Sequence, residues 1–247
     1  MRKAADKHEV INNETIDTMR IAIIGYGKMG RMAEDTAIGR GHEVVSHIDK
    51  DNAAEMDSLQ PAEVDAAIEF STPQTAYSNV KTLLQKGIPV VCGTTGWDVE
   101  ELKRELGKEN STPWIWASNF SVGVNMLFAV NKYMAQLMRA WGQYKPAVEE
   151  THHIHKLDKP SGTAKTIAED IQACGYTDVH IESIREGEVP GIHTISWDSE
   201  EDCISLTHNA KSRAGFALGA VIAAEWLQGK KGFHTMQEVM GELRIDN

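Results

Sequence analysis

Short apolar runs alternate with amphipathic stretches over the first half of the chain. The apolar runs lie at 20–25, 42–49, 64–70, 88–96 and 113–120, and each ends in, or is followed by, glycine or polar residues. Between them, 28–41, 73–87 and 98–110 have helical spacing, and the first two close on a glycine. Strands that alternate with helices predict a parallel sheet covered by helices on both faces.

The next stretch, 122–141, predicts one long helix. Its apolar residues recur at helical spacing, which indicates an amphipathic face that packs on the core. We expect the methionines of this row to act as core filler, since their side chains adapt to irregular gaps. The row consists of Met126, Leu127, Val130, Tyr133, Met134, Leu137 and Met138.

After Pro146 the pattern changes to one dominated by strands. Strand patterns lie at 147–153, 178–185, 191–197 and 202–210, with a hairpin turn at 198–202 and a helix at 163–174 between the first two. A further helix, 214–229, follows and is expected to pack back on the first domain. The sequence therefore predicts an α/β fold with an inserted, mostly antiparallel α+β domain.

Composition narrows the functional classes. The 247 residues carry a net charge of −11, so a general basic surface for nucleic acid is excluded. No apolar run approaches the roughly 20 residues that span a bilayer.

Three cysteines without close pairs indicate neither a disulfide framework nor a zinc ribbon, and they favour a reducing cytoplasm. Residues 1–18 are polar and predict an N-terminal extension.

A glycine-rich loop follows the first predicted strand. Gly25, Gly27 and Gly30 have the GxGxxG spacing of dinucleotide-binding loops, and Asp49 ends the next strand, where an acid can hold the adenosine ribose. The alternative is a plain glycine turn, but strand, loop, helix and acid are all in place. Asp49 favours NADH, whereas Lys50 beside it would attract the 2′-phosphate of NADPH, so both cofactors stay open.

Three later strand ends carry small and polar residues. They are 70–72, 93–96 and 117–120. Ligands of open α/β sheets bind at the carboxyl ends of strands, so these segments predict a wall on the nicotinamide side of a cofactor site. Each segment alone would also fit an ordinary turn.

The stretch 149–170 gathers proton carriers and cations beside a helix start. Residues 160–163 offer hydroxyls and unpaired N–H groups to an anion, Lys156 supplies a cation, and histidine titrates near neutrality. A zinc site is the alternative, but His152 and His153 should face opposite ways on a strand, and we expect no metal. With a dinucleotide loop, the cluster predicts hydride transfer to a carboxylate-bearing acceptor.

At these residues the chain resembles the 4-hydroxy-tetrahydrodipicolinate reductase (dihydrodipicolinate reductase) family. The family signature E-x-H-H-x-x-K-x-D-x-P-S-G-T-A is met in full between Glu150 and Ala164. The segments 93–96, 119–125, 185–187 and 212–213 also match, and the resemblance covers residues 19 to about 245.

The resemblance implies a Rossmann-type domain, 19–120 and 212–247, with an inserted substrate-binding and oligomerisation domain, 121–211, that forms a homotetramer. It also implies cytoplasmic reduction of a cyclic imine dicarboxylate by NADPH or NADH in lysine biosynthesis. His152 and Lys156 would be catalytic. The substrate would contact His153, Ser161, Gly162 and Thr163. The cofactor would contact Gly25, Tyr26, Gly27, Lys28, Met29, Asp49, Gly93, Thr94, Thr95, Ala117, Ser118, Asn119 and Phe120.

Two other functions compete with this hypothesis. Another NAD(P)-dependent oxidoreductase, such as an amino-acid dehydrogenase, would not need the carboxylate cradle at 160–163. A nucleotide-sensing protein without catalysis would keep the glycine loop but would have no use for proton donors beside an anion site.

Overall fold

A computed structural model describes residues 17–107 and 110–242, and over these residues it contains two β-sheets. A 3-10 turn spans Ala53–Ser58. Along the chain the other elements are β1 (Arg20–Ile24), α1 (Lys28–Gly39), β2 (Glu43–Ile48), β3 (Ala66–Glu69), α2 (Pro73–Gln85), β4 (Val90–Cys92), α3 (Val99–Leu106), β5 (Trp114–Trp116), α4 (Val122–Met138), β6 (Lys145–His152), α5 (Gly162–Ala173), β7 (His180–Arg185), β8 (Ile192–Asp198), β9 (Cys203–Asn209), α6 (Ala214–Trp226), β10 (Phe233–His234) and α7 (Met236–Glu242).

The first sheet has six strands in the order β10-β5-β4-β3-β1-β2, and all neighbours run parallel. Its strands bury apolar side chains on both faces, as a sheet covered by helices requires. One face packs on α1 and α6, and the other packs on α2 and α3. The predicted parallel sheet is confirmed, and its strand ends bring the glycine loop and the polar segments to one edge.

Helix α6 approaches the end of β5 very closely through Gly219. A Cβ atom placed on Gly219 would lie 1.7 Å from the carbonyl oxygen of Phe120, whereas one on Gly215 would lie 3.6 Å from its nearest neighbour, Ser121 Oγ. A helix of this sequence can therefore reach the sheet only if position 219 has no side chain.

We expect Gly219→Ala to lower the free energy of unfolding by about 1–3 kcal/mol, because the added methyl group overpacks the contact between α6 and Phe120. Gly215→Ala, the matched control in the same helix, should leave stability unchanged or raise it by up to about 1 kcal/mol, since alanine favours helix. Thermal and urea unfolding measure both. Equal stability of the two variants would contradict the packing argument.

The second sheet has four strands in the order β7-β6-β8-β9. β6 pairs with β7 in parallel, and the β6–β8 and β8–β9 pairs are antiparallel, so the predicted mostly antiparallel sheet is confirmed. Helices α4 and α5 cover one face, where Val148, Ile195 and Trp197 pack against Ile167 and Ile171. None of the described helices is long and apolar enough to cross a membrane.

The expectation that the whole apolar row of α4 packs on the core is wrong. Met126, Val130, Tyr133 and Leu137 are between 45% and 63% exposed, while the adjacent row containing Leu127 and Met138 is buried. The helix is apolar on two neighbouring faces, so the 3.6-residue period alone cannot tell which one packs. Core filling by methionine therefore holds for Met138 and fails for Met126.

Other differences concern short elements near the chain ends. β10 and α7 were not predicted, because a two-residue strand has no periodicity and α7 spans only two turns. The predicted extension 1–18 lies outside the described residues, apart from Asp17 and Thr18, which are exposed.

Candidate active site

A cleft of about 650 Å³ lies where the carboxyl ends of the parallel strands face the second sheet. It brings together thirteen of the predicted site residues, namely Met29, Gly93, Thr95, Ala117, Ser118, Asn119, Phe120, His152, His153, Lys156, Ser161, Gly162 and Thr163. The predicted residues outside its lining are Gly25, Tyr26, Gly27, Lys28, Asp49 and Thr94. The cleft thus combines the predicted nicotinamide wall with the predicted anion cradle.

Each glycine of the GxGxxG loop has a distinct geometry. Gly25 has a φ of +87°, and a Cβ there would lie 2.3 Å from the carbonyl oxygen of Phe70. A Cβ on Gly30 would lie 2.2 Å from the carbonyl oxygen of Gly25, so α1 packs directly on the turn. Gly27 caps α1 without a side-chain hydrogen bond, and no described atom would meet a Cβ there within 4 Å. The space beside Gly27 at the start of α1 is therefore open, which leaves room for a pyrophosphate.

A polar cluster surrounds Tyr26, the second residue of the glycine loop. Its ring lies 4.4 Å from the ring of His47 and 4.4 Å from the guanidinium carbon of Arg31. The Tyr26 hydroxyl donates to Glu34, and this hydrogen bond raises the pKa of Tyr26 and lowers that of Glu34. Asp49 follows β2 at the same edge, is exposed, and accepts the N–H of Lys50 at 2.8 Å. An adenosine ribose would reach this carboxylate from solvent.

Two indoles fix the loop after β4. The carbonyl oxygen of Thr94 accepts the Nε1–H of Trp97 at 2.8 Å and the Nε1–H of Trp116 at 2.9 Å. Gly93 is equally constrained, because a Cβ there would lie 2.1 Å from the ring of Phe70. The predicted nicotinamide wall is therefore held by several close contacts. Sequence reasoning identified the loop but not the two tryptophans that hold it.

The proton-carrying cluster stands at the end of β6. His152 is 8% exposed, and its Nε2 lies 3.3 Å from Nε2 of His193 and 3.4 Å from Oε2 of Glu150. His153 is less buried, and its Nε2 lies 3.5 Å from Nη2 of Arg213. Burial and the Arg213 charge lower the pKa of His153. The two histidines therefore have different neighbours, although β6 ends at His152 and His153 lies just beyond the strand.

Glu150 is fully buried between these groups. Its oxygens accept the backbone N–H of Ser161 at 3.0 and 3.2 Å, and Oε1 accepts Nη2–H of Arg185 at 3.1 Å. Burial alone would raise the pKa of Glu150, but hydrogen bonds from His152, Ser161 and Ser183 hold it well below its usual range. The carboxylate is therefore charged at neutral pH.

The predicted anion cradle is the start of α5. Ser161 caps the helix, since its Oγ accepts the N–H of Ala164 at 3.2 Å. Thr163 Oγ1 accepts Nδ2–H of Asn119 at 3.1 Å, which ties the cradle to the wall formed by the first sheet. Gly162 adds no side chain that would fill the cradle. A carboxylate at this point would meet hydroxyls and N–H groups together.

The loop after β6 presents Lys156. Its Nζ lies 2.7 Å from Oδ1 of Asp158, and this lysine outweighs the effect of burial and lowers the pKa of Asp158. Arg185 of β7 holds this loop in place, because it donates to the carbonyl oxygens of Lys156 at 3.3 Å and of Asp158 at 2.5 Å. The ammonium group is thus held at the cleft on a braced loop.

Three side chains of metal-ligand type converge here, which the sequence analysis did not foresee. Ligand atoms of Glu150, His152 and His193 all lie within 4.8 Å of one another. Spacing along the chain missed them because His193 comes from β8. Arg185 and the Ser161 N–H already engage the carboxylate, and a bound cation would compete with that guanidinium. The prediction that the site takes no metal stays a prediction.

Comparison with known proteins adds independent findings. The family models described as "Dihydrodipicolinate reductase, N-terminus" and "Dihydrodipicolinate reductase, C-terminus" match residues 19–120 and 123–240. A 4-hydroxy-tetrahydrodipicolinate reductase of Christiangramia forsetii is 43% identical over 238 residues, covering 91% of this chain and 99% of the relative. Its counterpart in Archaeoglobus fulgidus is 33% identical over 259 residues, covering 90% and 100%.

A solved structure has the same fold. Dipicolinate-bound dihydrodipicolinate reductase from Paenisporosarcina sp. TG-14 superposes with a TM-score of 0.72 at 23% identity, covering 88% of this chain and 97% of that one. The similarity includes both the parallel sheet and the smaller mixed sheet.

Proposed function

The chain belongs to the dihydrodipicolinate reductase family, and we propose that its NADH- or NADPH-dependent reduction of 4-hydroxy-tetrahydrodipicolinate takes place in the cleft between the two sheets. The activity belongs to the diaminopimelate route to lysine. The observation that carries the proposal is the Asn119–Thr163 hydrogen bond, which joins the nicotinamide wall to the anion cradle within one cavity. The structural relative from Paenisporosarcina is bound to dipicolinate, a planar dicarboxylate, which supports a dicarboxylate as the ligand class.

The cofactor end of the cleft uses the residues of the first sheet. Backbone N–H groups at Gly25–Met29 hold the pyrophosphate, Asp49 holds the adenosine ribose, and Gly93–Thr95 with Ala117–Phe120 form the nicotinamide wall. The bound nicotinamide supplies a hydride. The two indoles hold the backbone of the loop after β4 in place, and this loop would orient the nicotinamide ring toward the substrate.

The substrate end uses the start of α5 and the loop after β6. Ser161, Gly162 and Thr163 receive one carboxylate at the helix N-terminus, and His153 with Lys156 contacts the dianion from the other side. His152 provides the proton that the reduced carbon skeleton must take up after hydride addition. Burial of His152, Ser161 and Thr163 strengthens their contacts, because water screens them less.

We expect Thr163→Val to raise the KM for the dicarboxylate, because it removes a hydroxyl from the cradle. A hydrogen bond to a charged group is worth about 1.5–3 kcal/mol, so the increase should be about 10- to 100-fold. Steady-state kinetics measure KM, and cofactor titration measures the Kd of NADH and NADPH. Thr166→Val, one turn further along α5 and outside the cleft lining, is the matched control. Weakened cofactor binding alone would instead assign this helix start to the phosphates.

The pair Asp49 and Lys50 should discriminate between the two cofactors. Asp49→Ala is expected to weaken NADH more than NADPH, because the carboxylate binds ribose hydroxyls and repels a 2′-phosphate. Lys50→Ala is expected to do the opposite. The KM values for both cofactors measure this, with exposed Asp51→Ala as the control. Equal losses for both cofactors would remove the pair as the discriminator.

Domain organisation and assembly complete the proposal. The cofactor domain comprises residues 19–120 and 212–247, with 1–18 as an extension, and the substrate-binding and oligomerisation domain comprises 121–211. The enzyme acts in the cytoplasm as a homotetramer. Substrate-dependent consumption of NADH or NADPH with the product of the preceding synthase tests the activity, and light scattering tests the assembly.

A further inference from the structure

Two buried side chains behind His152 are engaged with it but belong to no role assigned above. Glu150 and His193 are 0% and 3% exposed, and they reach His152 from different strands, β6 and β8. Their positions raise the question of which nitrogen of His152 serves the cleft.

Nε2 of His152 is the nitrogen that these neighbours occupy. It lies 3.3 Å from Nε2 of His193 and 3.4 Å from Oε2 of Glu150, and His193 Nε2 itself lies 3.8 Å from the same Oε2. Nδ1 of His152 has no hydrogen-bond partner among the residues described. A Cβ on Gly191 would lie 3.2 Å from this Nδ1 and 2.9 Å from Cε1, so only glycine leaves this edge of the ring uncovered.

We propose that Glu150 and His193 are positioning residues that hold Nε2 of His152, so that Nδ1 is the nitrogen that gives its proton to the substrate. The inference rests on the proposed role of His152 as proton donor. In the step, the Nδ1–H bond breaks, its electron pair stays on Nδ1, and the proton joins the carbon skeleton that has received the hydride. The ring changes from imidazolium to neutral imidazole and keeps its Nε2–H throughout.

The charges of the cluster favour this arrangement. The Glu150 Oε2 lies 3.4 Å from His152 Nε2, where a carboxylate complements an N–H donor. Burial lowers the pKa of His193 to about 4, so His193 stays neutral at pH 7 and does not add a second positive charge. In the proposed arrangement, Nε2 of the neutral His193 accepts the Nε2–H of His152 at 3.3 Å, and the charged Oε2 of Glu150 lies 3.4 Å from the same nitrogen.

The other charged groups nearby leave this geometry intact. Arg185 binds Oε1 of Glu150, and Oε2 faces the two imidazoles and also accepts the Ser161 N–H at 3.2 Å. Ser161 Oγ lies 3.3 Å from His193 Nε2 and helps to fix that ring. Other titratable or charged groups that face the cluster are His153, Lys156 and Asp158 after β6, His208 on β9 and Arg213 before α6.

The pH profile of kcat tests the electrostatic part. Removal of a negative charge beside the acid of a proton transfer is expected to shift the pH dependence of kcat toward lower pH. In Glu150→Gln we therefore expect the alkaline limb of kcat to move to lower pH by about one unit or more. Glu149→Gln, the exposed neighbour on the same strand, should keep the wild-type profile. An unshifted limb in Glu150→Gln would overturn this part of the proposal.

The tautomer of His152 tests the geometric part in the wild-type protein, so the test does not depend on a variant that folds. In ¹⁵N-histidine-labelled enzyme, with the signal assigned by its loss in His152→Gln, the neutral ring should carry its proton on Nε2. In His193→Asn we expect a mixture of both tautomers. A neutral His152 protonated on Nδ1 in the wild type would overturn the proposal.

These outcomes are separable from those of the proposed function. Wild-type kcat in His152→Gln would refute His152 as proton donor and remove the catalytic inference with it. A large loss in His152→Gln together with the Nδ1–H tautomer would refute only the assignment of the delivering nitrogen.

Discussion

His152→Gln should lower kcat by about 10²- to 10⁴-fold while KM stays close to the wild-type value, because a positioned acid supplies an effect of this size to a proton transfer. Glutamine keeps a polar side chain of similar reach but cannot deliver a proton at neutral pH. His152 is buried at the end of β6 and lines the cleft, so the substitution removes the acid without opening the cradle. Steady-state kinetics with saturating cofactor measure both constants.

His155→Gln is the matched control, since its side chain is 70% exposed and pairs with Glu188 at the surface. It should keep the wild-type rate.

Added zinc or a chelator should leave the activity of the wild-type enzyme unchanged. Loss of activity on chelation would reopen the metal hypothesis at Glu150, His152 and His193.

Lys156→Ala should damage both constants. The ammonium group is a cation for a substrate carboxylate, and the loss of a charge-assisted contact costs about 1.5–3 kcal/mol, or about 10- to 100-fold in KM. kcat should also fall, because the same charge stabilises the anionic centre that forms during reduction. Lys156→Arg should recover part of the binding but little of the rate, since the planar guanidinium does not reproduce the compact ammonium group.

Lys159→Ala, three residues further along the same loop and exposed, is the control for general charge loss near the cleft. It should behave as the wild type in both constants. A normal KM in Lys156→Ala would show that the carboxylate is held by the helix start alone.

The parts of the fold that rest on local pattern were predictable. Apolar strands such as β1 carry their signal within one window. The same holds for helices of eight residues or more, such as α2, which begins at a proline. The glycine loop and the cradle at 160–163 are also contiguous, so spacing alone predicts their chemistry. Contacts between distant segments have no such signal, and His193, which is 41 residues from His152, was therefore missed.

Helix α4 shows a second limit. Its two apolar rows are equivalent in the sequence, and only the position of α5 and the second sheet decides which row is buried. The pairing of β10 with β5 likewise depends on where α6 ends relative to the first sheet. Tertiary placement, which local periodicity does not encode, decides both features.

The indole clamp on Thr94 gives the enzyme a built-in optical probe. Trp116 lines the cleft, and its N–H is fixed on the Thr94 carbonyl together with that of Trp97. Reduced nicotinamide absorbs in the region where indoles emit, so a ring bound against this wall should quench tryptophan fluorescence by energy transfer. Because the two indoles are rigidly oriented, the quenching reports the arrival of the reduced cofactor directly, without an added dye or a coupled assay.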